Sequence, residues 1–251
     1  MNIKSPLKKD IPQLRELWKE AFADSDKFLD SFFASAFSTG RSMCAFEGDR
    51  IIAALYWFDC ECEGTKQAYL YAIATAQEYR GKGICHKLME FTHTHLIKLA
   101  YDGAILVPGS ESLFRFYESI GYQTTSRISE IKATTNGQKI ELTRIDKSEY
   151  AKIRREMLPF CGVVQERENL DFLLTQAQLY KGGDFLLAAR IFGDTLYGIE
   201  LLGKTDTAES IVCSLGCKDG RLRIPGDGTQ FSMHYPLKDS IKPSYFGLAF
   251  D

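Results

Sequence analysis

Apolar residues recur every three or four positions in four segments of the first half of the chain, which predicts four amphipathic helices. Between these segments, short apolar or alternating runs predict β-strands, and the turn Glu47-Gly48-Asp49 joins two of them as a hairpin. The predicted helices span residues 10–22, 28–37, 82–100 and 110–120, and the predicted strands lie near residue 3 and over residues 41–46, 50–60, 68–75 and 104–107. A strand, a long helix and a fully apolar strand in succession indicate a βαβ unit, so we expect a mixed β-sheet flanked by helices.

The second half of the chain has the same kind of pattern, with two helices followed by several strands. Residues 126–138 contain few large apolar residues and read as either a hairpin or a linker. The predicted helices span residues 146–157 and 167–179, and the predicted strands span residues 184–192, 195–202, 210–215, 221–224, 231–235 and 245–250. We therefore expect two α+β domains, at 1–130 and 131–251.

A weak internal similarity relates the two halves at an offset of 139 residues, where Leu14 aligns with Ile153 and Arg15 with Arg154. The second domain is therefore either a degenerate copy of the first or an unrelated α+β unit. It contains no glycine loop followed by a helix.

Composition and charge exclude several classes of protein. Of the 251 residues, 45 % are hydrophobic, and 31 basic residues against 33 acidic ones give a net charge of −2. This balance is typical of a globular chain and argues against a protein that binds duplex nucleic acid. Neither a signal-peptide pattern nor an apolar run of about 18 residues is present, so we expect a cytoplasmic protein without a membrane span. The seven cysteines lack zinc-site spacing, so we expect free thiols and no metal.

One segment carries candidate chemistry: the predicted strand at 68–75 leads into Arg80-Gly81-Lys82-Gly83-Ile84-Cys85 and then into the long helix. Glycines allow close backbone approach, the start of a helix presents unpaired N–H groups, and two basic residues add positive charge. This combination suits phosphate or pyrophosphate. The segment matches neither the Walker pattern nor the dinucleotide G-x-G-x-x-G pattern.

The segment resembles the acyl-CoA pyrophosphate loop of the GNAT superfamily of N-acetyltransferases, [Q/R]-x-x-G-x-[G/A], with Cys85 at the final small position. A second stretch, Tyr117-Glu-Ser-Ile-Gly121-Tyr122, is similar to the Y-x-x-x-G-[F/Y] helix end of that family. Ser110 stands where the family often has Asn. The resemblance covers roughly residues 1–125.

The resemblance implies an N-acetyltransferase that uses acetyl-CoA as its co-substrate and transfers the acetyl group directly to an amine in a ternary complex. It also implies that Tyr117 protonates the leaving thiolate and that the Ile73 amide stabilises the oxyanion. The cofactor-binding residues implied are Ala72, Ile73, Ala74 and Thr75 along the pantetheine arm and Arg80, Gly81, Lys82, Gly83, Ile84 and Cys85 around the pyrophosphate.

Several questions stay open at this level. Asp59, Glu61, Tyr69 and Tyr71 are candidates for the general base or the acceptor wall, against a purely structural role. The acceptor is a small-molecule or peptide amine, and a homodimer is the default expectation. A non-catalytic acyl-CoA sensor or scaffold is the alternative function. We also expect the apolar segment 245–251 to dock near the active site, with Asp251 and its terminal carboxylate within reach.

Overall fold

The computed structural model describes residues 1–239 and 241–250, and these residues form two mixed β-sheets with helices on their faces. The helices are α1 (Ile11–Phe22), α2 (Asp26–Ser35), α3 (Ile84–Lys98), α4 (Glu111–Ser119), α5 (Lys147–Met157), α6 (Glu168–Leu173) and α7 (Ala208–Ser214). The strands are β1 (Asn2–Lys4), β2 (Ser42–Glu47), β3 (Arg50–Cys62), β4 (Thr65–Thr75), β5 (Gly103–Leu106), β6 (Gln123–Thr124), β7 (Arg127–Thr134), β8 (Thr143–Arg144), β9 (Val164–Gln165), β10 (Gln178–Lys181), β11 (Phe185–Phe192), β12 (Thr195–Gly203), β13 (Asp219–Pro225), β14 (Thr229–Gln230) and β15 (Met233–Pro236). This confirms the predicted α+β class.

The first sheet has the strand order β1-β2-β3-β4-β5-β15-β6, and β9 pairs with the far end of β3. Its pairs are antiparallel except for β4 and β5, which α3 connects as a parallel crossover. Helices α1 and α2 pack on one face through Trp18 and Phe32, and α3 and α4 pack on the other through Leu88 and Tyr117. The βαβ unit predicted from the apolar pattern is therefore present.

The β15 strand comes from residues 233–236 yet lies inside the first sheet, between β5 and β6. The first sheet therefore draws on both predicted domains, and a chain boundary near residue 130 stays a prediction. Gly103 of β5 makes this junction tight, because a Cβ there would lie 2.2 Å from the side chains of Gln67 and His234.

The second sheet has the strand order β14-β7-β13-β12-β11-β10-β8. Its parallel pair is β12 and β13, which α7 connects. Helix α5 packs on one face through Tyr150, and α7 packs on the other through Ile211 and Val212. A second strand–helix–strand crossover in this sheet supports a second GNAT-like unit.

Several boundaries differ from the predicted ones. Residues 210–215, predicted as a strand, lie mostly in helix α7, because a short apolar run fits a buried helix as well as a strand. The predicted helix at 167–179 ends at Leu173, and residues 178–181 form β10. Residues 126–138, left open above, contain β7. Residues 245–250, predicted as a strand, form a buried segment that is not a β-strand. Its one β-bridge joins Tyr245 to Gly162.

Candidate active site

An opening forms where β4 and β5 part. The two strands are paired only from Gln67 and Gly103 to Tyr69 and Ile105, although β4 continues to Thr75. A bulge bends β4 away at this point, because Ala72 and Ile73 together stand opposite Leu55 of β3. Its backbone groups beyond Tyr69 are therefore not paired with β5.

Ala72 carries the bulge with a φ of +48°, a left-handed conformation that strains a residue with a Cβ. Alanine has the smallest side chain that carries a Cβ, so it adopts this conformation with the least crowding. Backbone strain of this kind is commonly found at functional sites. Ala72 and Ile73 line the opening, whereas Ala74 and Thr75 continue the ladder opposite Ala54 and Ala53.

The glycine loop follows β4 directly and brings two left-handed residues to the start of α3. Gly81 has a φ of +73° and Gly83 a φ of +71°, and a Cβ at either position would meet no atom within 4 Å. The glycines are therefore required by backbone conformation rather than by crowding. The first helical bond of this region runs from the Lys87 amide to the Gly83 carbonyl, so the preceding amides form the usual open helix start.

The basic side chains beside the loop are exposed. Arg80 folds back so that its Nε donates to the Thr75 carbonyl at 3.0 Å, which ties the loop to the end of β4. Lys82 lies over the Tyr79 ring, with its Nζ 5.1 Å from the centroid. Positive charge and free amides thus share the end of the opened strand, which is an arrangement suited to a pyrophosphate.

A cavity of about 1090 Å³ occupies the opening and continues towards the second sheet. Ile73 and Tyr117, the two predicted catalytic residues, are far apart in sequence, and both line the cavity. Leu70 of β4 and Leu106 of β5 line it as well. The glycine loop lies outside the lining. The second half of the chain also contributes to the wall, through the residues Ile128, Thr175, Gln176, Arg190, Phe192, Arg223, Gln230, Phe231 and Phe250.

Tyr117 sits on α4 with 6 % of its surface exposed. Its ring packs against Phe116 and Tyr122, with centroids at 5.2 and 5.7 Å. Burial raises the pKa of its hydroxyl above the ordinary value of 10.0, so the group is protonated at neutral pH. A protonated phenol at the cavity wall can donate a proton to a leaving group.

Cys85, at the start of α3, is not poised as a nucleophile. Burial raises the pKa of its thiol to about 11, so the thiolate is scarce at neutral pH in spite of the helix start. Cysteine has a small side chain, as the family pattern has at this position.

The two acids considered as general bases do not line the cavity. Asp59 accepts a hydrogen bond from the Tyr101 hydroxyl and lies 3.6 Å from Arg41, and Glu61 is exposed 3.9 Å from Arg155. Tyr69 and Tyr71 do line it.

Sequence analysis missed Asp24, which among the described residues is the one acidic side chain lining the cavity. It accepts from the Trp18 indole at 2.8 Å. Its sequence context, a single acid before the Ser25 cap of α2, offers no signal that separates it from any other helix start. Of the phenylalanines on α2, Phe28 reaches the cavity, while Phe32 is buried in the core. Asp251, expected near this site, lies outside the described residues.

Comparison with known proteins agrees with this geometry. The family model for the GNAT acetyltransferase domain matches residues 2–125. The N-terminal half of the chain therefore belongs to the GNAT acetyltransferases, and the chain is an acyltransferase enzyme. No curated protein matches the sequence significantly.

Solved structures similar to the chain extend over both halves. A GCN5-related N-acetyltransferase from Anabaena variabilis has a TM-score of 0.75 at 12 % identity, covering 94 % of this chain and 73 % of that one. One from Kribbella flavida has a TM-score of 0.71 at 13 % identity, with 94 % and 72 % covered. One from Sphaerobacter thermophilus has a TM-score of 0.57 at 11 % identity, with 97 % and 98 % covered. At these identities the likeness concerns the fold, and it includes the second sheet. None of the described helices is long and apolar enough to cross a bilayer.

Proposed function

We propose that the chain transfers an acetyl group from acetyl-CoA directly to an amine, with both substrates bound at once. The observation that carries this proposal is that Ala72 and Ile73, at the bulge of β4, line one cavity with Tyr117, while the glycine loop lies between the end of β4 and the start of α3. GNAT family membership of residues 2–125 supports the acyl donor.

The residues present fit the acyl-CoA co-substrate. Backbone groups of β4 beyond Tyr69 have no partner on β5, so they are available to a pantetheine arm along Ala72–Thr75. The amides from Gly81 to Cys85, with the positive end of α3, suit the pyrophosphate, whereas the Arg80 amide already donates to the Gln77 carbonyl at 3.2 Å. These assignments use the residues that the family pattern implied.

In the proposed reaction a neutral amine attacks the thioester carbonyl, and the carbon–sulfur bond breaks as the carbon–nitrogen bond forms. The Ile73 amide, on the bulge, donates to the oxygen on which negative charge develops. The Tyr117 hydroxyl gives its proton to the departing thiolate, and the proton that the attacking nitrogen loses as the amide forms returns through water to the Tyr117 oxygen. The ammonium form of the acceptor loses its proton to water or to Asp24, and holding both substrates in one cavity supplies much of the rate.

A non-catalytic acyl-CoA sensor is the second candidate, since Cys85 and Ser110 depart from the family pattern. The protonated Tyr117 in the cavity wall favours turnover. Release of free thiol from acetyl-CoA in the presence of amines separates the two functions, because a sensor would bind without releasing thiol.

The cofactor site is tested by calorimetric titration of acetyl-CoA into the wild type and into Gly81→Asp/Gly83→Asp. We expect micromolar binding by the wild type and a weakening of about 100-fold or more in the variant, because two carboxylates would face the pyrophosphate. Absence of binding by a folded wild type would leave the loop as a turn and a helix cap only.

The matched control is Gly64→Asp/Gly137→Asp. Both glycines also have a φ of +74° and no atom within 4 Å of a built Cβ, so the charge added and the backbone strain are the same. They lie away from the cavity lining, and we expect the control to bind acetyl-CoA like the wild type. Equal weakening in both variants would point to global damage and contradict the site assignment.

A further inference from the structure

The acceptor side of the cavity is aromatic to an unusual extent. Nine aromatic side chains line the cavity, from both halves of the chain: Trp18, Phe22, Phe28, Tyr69, Tyr71, Tyr117, Phe192, Phe231 and Phe250. Flat rings offer large apolar contact areas and prefer edge or offset contact with another ring. Such a wall favours a flat apolar partner over a polar one.

Six of these nine rings form one connected cluster: Trp18, Phe22, Phe28, Tyr69, Tyr71 and Phe250. Trp18 packs against Tyr71 with centroids 5.6 Å apart, and Tyr71 packs against Phe250 at 5.7 Å. Tyr69 and Tyr71 project from β4 just before the bulge at Ala72, so this cluster adjoins the place where the amide of Ile73 would face the thioester. The body of an acceptor lying on these rings would have its amine at the reacting carbonyl.

The described part of this wall contains one acidic side chain. Among the residues that the structure describes, Asp24 is the acidic side chain in the lining, and it already accepts from the Trp18 indole. One carboxylate can pair with one ammonium, and aromatic faces add cation–π attraction for the same ammonium. An acceptor with several ammonium groups would bury the others without a counter-charge, which is costly.

Phe250 is the cluster member supplied by the last described segment, residues 245–250. Its ring lies 4.9 Å from those of both Phe58 and Phe172, and its amide donates to the Tyr69 hydroxyl at 3.4 Å. It joins the aromatic rings of the first-sheet core to the open cavity.

A buried glutamine fixes this segment. The Gln165 Nε2 donates to the Leu248 carbonyl at 2.6 Å, and the Leu248 amide donates to the Gln165 Oε1 at 3.0 Å. Gln165 is fully buried on β9, which pairs with β3, so the first sheet sets the position of the segment. The Tyr245 hydroxyl adds a second anchor by donating to Glu200 at 3.0 Å.

We propose that the acceptor is a primary amine with one aromatic or similarly flat apolar body, and that Phe250, positioned by Gln165, selects that body. The proposal rests on the proposed acetyl transfer and narrows its acceptor. It separates arylalkylamines, and peptides with an aromatic N-terminal residue, from polyamines and from small polar amines.

The test compares kcat/KM for four amines by thiol release from acetyl-CoA: 2-phenylethylamine, phenylalanine amide, ethanolamine and spermidine. For the wild type we expect 2-phenylethylamine to exceed ethanolamine by about 100-fold, from the apolar area that its ring buries. The kcat/KM for spermidine should be about as low as that for ethanolamine. Phenylalanine amide stands for a peptide N-terminus, and a higher value for it than for 2-phenylethylamine assigns a peptide acceptor within the same chemistry.

Three variants then test Phe250 and its anchor. The ratio of kcat/KM for 2-phenylethylamine over ethanolamine should fall about 10-fold in Phe250→Ala, through a higher acceptor KM, and less in Phe250→Leu. Gln165→Leu keeps similar volume but removes both bonds to Leu248, and it should lower the same ratio although Gln165 lies outside the cavity lining. Val212→Ala, on the buried face of α7, is the control for general destabilisation and should keep the wild-type ratio.

The outcomes separate this inference from the function beneath it. If the wild type releases thiol but its kcat/KM ratio of 2-phenylethylamine over ethanolamine is near or below one, or if it prefers spermidine, the proposal of an aromatic acceptor is wrong. Acetyl transfer itself would still stand. A high ratio that survives in all three variants overturns the role of Phe250. Binding of acetyl-CoA without thiol release for any amine overturns both the inference and the catalytic function.

Discussion

The two sheets repeat one arrangement, in which a strand, a crossover helix and a parallel strand follow each other. In the first sheet the parallel strands β4 and β5 are paired over three residue pairs, and in the second β12 and β13 are paired over four. In both, the earlier strand continues beyond the last pair and carries a bulge against its other neighbour. The same construction therefore produces two places where parallel strands part.

The two places differ in what approaches them. In the first, left-handed glycines precede a helix of 15 residues, and a large cavity lies at the opening. In the second, α7 has only 7 residues and no glycine loop before it. There Glu200, just past the last paired residue Gly198, is fully buried and accepts from Arg154 at 2.6 and 2.9 Å. A shared fold thus leaves an open cavity at one site and holds an internal ion pair at the other.

Replacement of Arg154 should have the largest effect on the second site. Arg154→Met leaves Glu200 buried with only the hydroxyls of Tyr150 and Tyr245 as partners, and we expect the free energy of unfolding to fall by about 3–5 kcal/mol. Denaturant unfolding measures this. The affinity of the folded variant for acetyl-CoA should stay at the wild-type value, because the ion pair lies outside the cavity lining.

Arg115→Met is the matched control, because Arg115 pairs with Glu111 on the surface of α4. It should cost about 0.5 kcal/mol or less. The double variant Arg154→Met/Glu200→Met should recover most of the lost stability, since neither charge then remains buried alone. If Arg154→Met costs no more than the surface control, the buried pair is not what closes the second site.

The first site could be predicted from sequence because its signals are local. The glycine loop, the helix after it and the apolar strands on either side are contiguous, so the pattern predicted these elements. The resemblance of two short motifs to the GNAT family then brought Ile73 and Tyr117 into one interpretation. The prediction was wrong where an apolar run was short, as at residues 210–215, which were predicted as a strand and lie mostly in α7.

Tyr69, Tyr71 and the segment 245–251 were expected at the site, and Phe250 of that segment lines the cavity. Most of the cavity wall could not be predicted, because its residues meet only in the folded chain. Phe231 and Phe250 reach the cavity from the far end of the sequence, after β15 has entered the first sheet. Nothing near Asp24 marks it as a cavity residue, and the bulge at Ala72 depends on pairing with β3. Strand insertion and cross-strand register are long-range features, and local periodicity does not encode them.

Tyr117→Phe should lower kcat by about 100-fold, because the leaving thiolate loses its proton donor. The KM for acetyl-CoA should change little, since the ring that forms the wall remains. Steady-state thiol release measures both. Tyr122→Phe is the control, because the Tyr122 hydroxyl binds His93 at 2.7 Å and lies outside the cavity lining. Equal losses of kcat in the two variants would remove the special role of Tyr117 and weaken the contrast between the two sites.

Acid should weaken the first sheet more than the second, because all four histidines belong to elements of the first sheet, three to α3 and His234 to β15. Burial lowers the pKa of His93 and of His234 to about 4, from an ordinary 6.5. Between pH 4 and pH 6.5 these two histidines therefore bind more protons in the unfolded chain than in the folded one. The stability that a neutral buried histidine contributes is therefore complete above pH 6.5 and is lost as the pH falls towards 4.

His93→Gln keeps a hydrogen-bonding group near Tyr122 and removes the titration. Whatever its stability at pH 7, the difference in unfolding free energy between wild type and variant should shift by about 2 kcal/mol in favour of the variant at pH 5. Denaturant unfolding at the two pH values measures the shift. His86→Gln, at an exposed position on the same helix, should show a much smaller shift. A shift of equal size for both variants would mean that burial of His93 is not the cause, and that acid does not distinguish the two sheets through this residue.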